Sequence, residues 1–324
     1  PEQEISAHWV EDLLSYLNSP DTRIKSSPYR RINSLEKYEV VEPNIIPQAL
    51  RIVASHYEES PFVFSLYVPG ILNHINQKDV EGVLEKFAEE LPLLEDIYLK
   101  GITCSNHEDY DGALLFAIIS VDTSFLHRYL DRLIELRKNS RYNDDYDAER
   151  LLKVWYTEQF IEYADIVFNH LHTKKHSMFW YYNSLLSKML YSQSNHPEIV
   201  PKQDLWIEHT IERYSSDEEH MYELFCSIEE LPPERRKKAV EKFLSLNANP
   251  DIFEKLPLEP SHWGGSGSMI PYMQARIDYL SSILPSVSGS KYLRQKQRVE
   301  RDIEGWKARI QSEEIEELLE DWYH

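Results

Sequence analysis

The sharpest cluster of chemically competent side chains lies at residues 143–149, NDDYDAE, where Asp144, Asp145, Asp147 and Glu149 fall close together. Carboxylates so placed could chelate magnesium carrying a diphosphate, which makes an all-helical, magnesium-dependent enzyme built on Asp144 and Asp145 the alternative catalytic reading. That chemistry needs a second set of ligands, Asn, Ser and Glu at matching intervals, and the chain carries none. A calcium loop would need a glycine at its sixth position and a glutamate at its twelfth, and both are missing. Solvated acids at a helix N-terminus, where the macrodipole favours negative charge, account for the same letters.

His170, His172 and His176 crowd the segment NHLHTKKH. Zinc would want a third or fourth ligand, while Lys174 and Lys175 bring repelling charge. Histidine and lysine gathered at a helix C-terminus need only the dipole to explain them. The one glycine-rich loop, residues 264–268, follows no strand and lacks the lysine of a phosphate loop. It also misses the nucleophile elbow, which requires glycine where Ser268 stands. Catalytic, metal and cofactor residues are therefore expected to be absent, and the chain is expected to work by binding; a structural oligomerisation scaffold is the other alternative.

Aromatic residues are the obvious anchors for binding: 21 Tyr, 11 Phe and 7 Trp. The densest run is 179–182, FWYY, with Trp180, Tyr181 and Tyr182. Four consecutive residues point all round a helix, so these rings either fill packing on two sides or present an interface. A second candidate is the basic stripe of Arg294, Lys296, Arg298 and Arg301. It would suit nucleic acid only if it formed one groove with Arg235, Arg236, Lys237 and Lys238. A formal net charge of −20 opposes phosphate backbones and anionic membranes, so contact with a protein is expected instead.

The elements that must position these residues are helices. Apolar residues recur at three- and four-residue spacing almost throughout, beginning with Ile5, Trp9, Leu13 and Leu17. The spacing and caps predict helices over 109–119 and 123–138, with Asp122 as the cap of the second. Further helices follow at 144–171, 176–192, 201–214, 217–230 and 232–247, with Ser216 capping at 217 and Pro233 inside the first turn of the last. Beyond them come 270–284, a long charged helix over 291–312, and a separate acidic helix, EEIEELLEDWY. No stretch holds period-two alternation, and only nine glycines are available for tight turns. The expected fold is all-α, an irregular α-solenoid of antiparallel helix pairs of the tetratricopeptide or HEAT kind. Three prolines and three glycines in 248–269 predict a boundary between a helical-repeat domain, 1–247, and a C-terminal helical subdomain, 248–324.

The last quarter of the chain carries a resemblance. Trp263, Ser266, Ser268 and Pro271, then the segment from Leu280 to Leu284, then the charged helix from Lys291 resemble the C-terminal helical region of bacterial signal-transducing NTPases of the STAND class and allied antiphage defence proteins. The resemblance covers about residues 235–319. It implies an effector and an ATPase elsewhere in a longer protein, and a helical sensor that recognises a foreign, phage-derived protein. Candidate protein-binding residues on this reading are Trp180, Tyr181, Tyr182, Trp263, Arg294 and Arg298.

The first residue is Pro1, which fits a piece of a longer chain. No apolar run approaches the ~20 residues of a membrane span, and no secretory signal is visible. Two cysteines, Cys104 and Cys226, have no metal or redox spacing and are expected as reduced thiols in a cytoplasmic protein.

Overall fold

A computed structural model of the chain describes residues 91–102, 109, 112–138, 146–191, 196–259 and 268–323; side chains at 101, 113, 137, 146–147, 175–184, 191 and 317–323 lie outside it. Every regular element among the described residues is a helix. The chain divides between Thr157 and Glu158 into two compact units.

In the first unit the described elements are α1 (Leu91–Gly101), α2 (Ala113–Val121), α3 (Ser124–Lys138), α4 (Tyr146–Leu151) and a 3-10 turn over Leu152–Tyr156. Pro92 sits in the first turn of α1, where its missing N–H costs nothing. Asp122 closes α2 and opens α3 by accepting the Ser124 N–H at 2.9 Å. Among the described residues of this unit, Asp109, 2 % exposed, ties helices together: its carboxylate accepts the Tyr98 hydroxyl (2.7 Å) and the N–H groups of Leu114 (2.9 Å) and Leu115 (3.0 Å). These are orphan donors at the start of α2, so one buried acid caps the helix and ties it to α1. Burial and the neighbouring Asp109 charge push the Tyr98 hydroxyl well above its ordinary pKa, so it stays a donor. The Arg150 side chain donates to the Asp109 carbonyl at 3.1 Å, drawing α4 in as well.

The second unit begins with α5 (Phe160–Tyr191), then a 3-10 turn (Pro197–Ile199), α6 (Val200–Tyr214), α7 (Glu218–Ser227) and α8 (Pro233–Ser245). It ends with α9 (Pro250–Lys255), α10 (Ile270–Ile283), a 3-10 turn (Ser290–Tyr292) and α11 (Leu293–Tyr323). Helices pack on their next-but-one neighbours: α5 on α7, α7 on α9 and α9 on α11, with α6 on α8 and α8 on α10 alongside. Trp206, Phe168, Phe243 and Phe253 are buried in its core. A chain of rings, Phe225 to Phe243 to Phe253 to Tyr292, runs with centroids 6.3–6.4 Å apart from α7 to the turn before α11. It crosses residue 248, where the sequence suggests a domain boundary.

The helix expected over 109–119 runs over Ala113–Val121, α9 lies inside the stretch expected as a boundary, and three further details differ from the expected elements. The break expected at 172–175 is absent, because NHLHTKKH holds neither proline nor glycine and α5 runs through it. The break falls at 157–159 instead, where Thr157 turns its hydroxyl back onto the Val154 carbonyl at 2.8 Å. The cap of α7 is Asp217, not Ser216; its carboxylate accepts from the Glu219 and His220 N–H groups. The charged and acidic C-terminal helices are one helix, α11, since nothing at Ser312–Glu313 interrupts the backbone bonds.

Candidate functional site

Three places in the second unit gather polar side chains. The first lies where α5, α6 and α7 meet. Asp165, buried on α5, accepts the Trp206 indole N–H at 3.0 Å and pairs with Arg213 at 2.6 Å. The His209 Nε2 stands 3.5 Å from the same carboxylate. One helical turn on, Asn169 accepts the Tyr214 hydroxyl at 2.7 Å. Beside them three rings stack: Tyr214 on His220 at 4.2 Å and 3°, and His220 on His172 at 3.7 Å and 27°. His172 Nδ1 meets Glu223 Oε2 at 2.6 Å, and His220 Nδ1 lies 3.0 Å from Asp217.

Two imidazoles with two carboxylates are the raw material of acid–base chemistry. Here, however, the rings lie face to face, so their nitrogens aim outward at separate acids rather than at one reacting atom. Among the described residues no three His, Cys, Asp or Glu side chains converge to hold a metal ion. His172 thus joins α5 to α7 through Glu223, and His170 is buried on the same helix.

The second place surrounds Cys226 on α7. Burial pushes its thiol up to about 11, so it stays protonated and weakly nucleophilic at neutral pH. On α8, Arg236 is buried with its guanidinium 4.2 Å from the Tyr279 ring centroid. Burial lowers the Arg236 pKa and raises that of Tyr279 to about 12. Arg235, also buried, pairs with Asp204 and donates to Gln203. These two arginines are therefore core ties between helices. The continuous basic groove that nucleic acid would need does not form with them.

The third place is the face of α10 and α11. Trp306 is half-buried there, with Arg276 4.9 Å and Arg309 4.6 Å from its ring centroid. Glu259 pins it, accepting the indole N–H at 2.7 Å and the Arg276 guanidinium at 3.1 Å. Of the two arginines expected to bind protein, Arg294 is 74 % exposed and touches Glu254 at 3.0 Å. Arg298 is the more buried; it donates to the Glu254 carbonyl and faces Asp302 at 3.7 Å. Arg298 therefore fastens α11 to α9, while Arg294 keeps most of its surface open. Tyr272 and Leu293 add exposed apolar area on the same two helices.

Positions 180–182 fall within α5, but the side chains of Trp180, Tyr181 and Tyr182, like Trp263 and the Asp144–Asp145 pair, lie outside the described residues. The periodicity alone assigns Trp306 to the apolar stripe of α11, and so misses its arginine clamp. Only its spacing from Arg309, i and i+3 on one helix, was readable in advance. No described helix is long and apolar enough to cross a membrane. Compared with models of protein families, with curated proteins and with solved structures, the chain matches none.

Proposed function

We propose that the chain is a non-catalytic protein-recognition module, the sensor part of a larger cytoplasmic bacterial defence or signalling protein, and that its partner is a foreign, phage-derived protein. The observation that carries this is the α10–α11 face. Trp306 is held rigid by Arg276, Arg309 and Glu259, and exposed Arg294 lies on the same helix. Tryptophan and arginine are the residues on which interface energy concentrates, and a ring already fixed loses little entropy on binding. The next-but-one packing of α5 to α11 supports reading the second unit as an irregular α-solenoid, a fold whose extended surface suits partner recognition.

The test is capture from phage-infected cells, followed by reconstitution with the purified phage protein so identified. Trp306→Ala and Arg294→Glu should each weaken that binding by tenfold or more, corresponding to about 1.4 kcal/mol. Equal binding by wild type and both variants would remove the assignment of this face. A rise in melting temperature on adding magnesium and inorganic diphosphate would instead favour the enzyme reading built on Asp144 and Asp145.

A further inference from the structure

We infer that α11 is also a self-association surface, pairing antiparallel with α11 of a second copy of this chain. The inference rests on the recognition reading only in placing a protein on α11.

Charge is segregated along this helix. From Leu293 to Arg309 the sequence carries six cations, Arg294, Lys296, Arg298, Arg301, Lys307 and Arg309, against three acids. From Ile310 to Tyr323 it carries six acids and no cation. This order opposes the helix's own macrodipole, which favours acids at the N-terminus and cations at the C-terminus. Acids also recur four residues apart, at 313 and 317, 316 and 320, and 317 and 321, where like charges repel. An isolated helix would not be built this way. A reversed neighbour of the same sequence relieves both faults, because it sets a cation-rich, dipole-positive half beside each acid-rich, dipole-negative half.

The fold leaves residues 311–316, the described start of the acidic half, available. α10 has 14 residues and α11 has 31, so at a rise of 1.5 Å per residue α11 outruns its partner by about 25 Å. Residues 311–316 are exposed apart from Glu313, which is partly covered, and Ile315 shows 58 % of its surface. The one cation of α10, Arg276, is already engaged by Glu259 and Trp306. Apolar positions 315, 318, 319 and 322 recur at helical spacing along this half. A twofold axis near Ala308 brings Lys296 and Arg301 to the levels of Asp321 and Glu316 of the other copy. It also brings exposed Leu293 to the level of the helix tip. Such a contact is isologous: one patch, self-complementary, used twice.

Light scattering on the full chain tests this. The wild type is expected to be dimeric at low ionic strength and to shift toward monomer as salt is raised, because exposed ion pairs are screened beyond about 3 Å at 1 M. The double variant Arg301→Glu/Lys307→Glu leaves four cations against five acids in the first half of α11, and Glu313→Lys/Glu316→Lys leaves four acids against two cations in the second; each reverses the charge on one side of the Arg301–Glu316 level. Each should be monomeric alone, and an equimolar mixture should form a one-to-one heterodimer, which also shows that both variants fold. A wild type that is monomeric at low salt overturns the inference. So does either variant remaining dimeric, or a mixture that stays monomeric. A monomer that still binds the phage protein through Trp306 defeats self-association and leaves the recognition reading standing.

Discussion

Gly112 shows how much one residue can fix. Its φ of 71° lies in the left-handed region, and a Cβ there would stand 2.2 Å from the Arg150 carbonyl oxygen. Gly112→Ala therefore adds backbone strain to a collision with a main-chain atom that cannot rotate away. A loss of at least about 2 kcal/mol is expected, read as a lower denaturant midpoint for the first unit. Asp217 offers a pH-dependent case. Burial raises its carboxyl pKa, but hydrogen bonds from the His220 backbone and side chain and the Glu219 backbone outweigh that, and the net shift is downward. A depressed acid stabilises the fold above its unfolded pKa, and the stabilisation is lost as pH falls through the folded value. Asp217→Ala should cost about 1 kcal/mol at neutral pH, as caps do. The difference from wild type should shrink below about pH 4, in stability measured across the acid range. Cys226, buried and with its pKa raised, should take up iodoacetamide only when the protein is unfolded; labelling of the native chain at that site would contradict its placement.

At the scale of elements, what the sequence made legible was the helices with hard punctuation. Pro233 opens α8 in its first turn as expected, and α3 lies within one residue of its expected span, because proline and a capping aspartate act locally. The breaks at 172–175 and 312 were misread because clusters of His, Lys and Glu look like ends while nothing in them stops the backbone bonds. Gaps in α5 and α11 would have needed a proline, a glycine pair or an inserted side chain. The site was less legible than the elements. Arg235, Arg236, Arg294 and Arg298 look alike in sequence, yet the first two are buried and Arg298 is spent on Glu254. Which arginine stays exposed is decided by packing between helices distant in the chain, and periodicity cannot supply that. The continuity of α11 has a consequence of its own. Gly305 lies inside it, and a Cβ there would meet nothing within 4 Å. Gly305→Ala should stabilise the second unit by about 0.5–1 kcal/mol, since only the backbone entropy of glycine is removed, and a raised melting temperature would report it.

For the whole molecule, the question is where the chain divides. Composition puts the boundary at 248, in the proline- and glycine-rich stretch, whereas the compact units divide between Thr157 and Glu158. The two places differ in what a cut would break. A cut at 248 separates Phe243 from Phe253, which stack at 6.3 Å, and parts α7 from α9 and α8 from α10. It also strips Ser286 of its bond to Glu241 and Lys291 of its bonds to Asn247. Phe253 and Ile283, both fully buried, would be laid open to water in the shorter fragment, a loss of roughly 1.5–3 kcal/mol for each such side chain. Residues 158–324 keep all of these contacts, together with the Trp206–Asp165 bond that anchors α6 to α5. That fragment is expected to fold alone, with helical circular dichroism, a cooperative thermal transition and blue-shifted tryptophan emission from buried Trp206. Residues 248–324 are expected to show no cooperative transition. If residues 248–324 melted cooperatively on their own, the proline- and glycine-rich stretch would be the true boundary, and the ring chain from Phe225 to Tyr292 would be a contact between two independently folded domains.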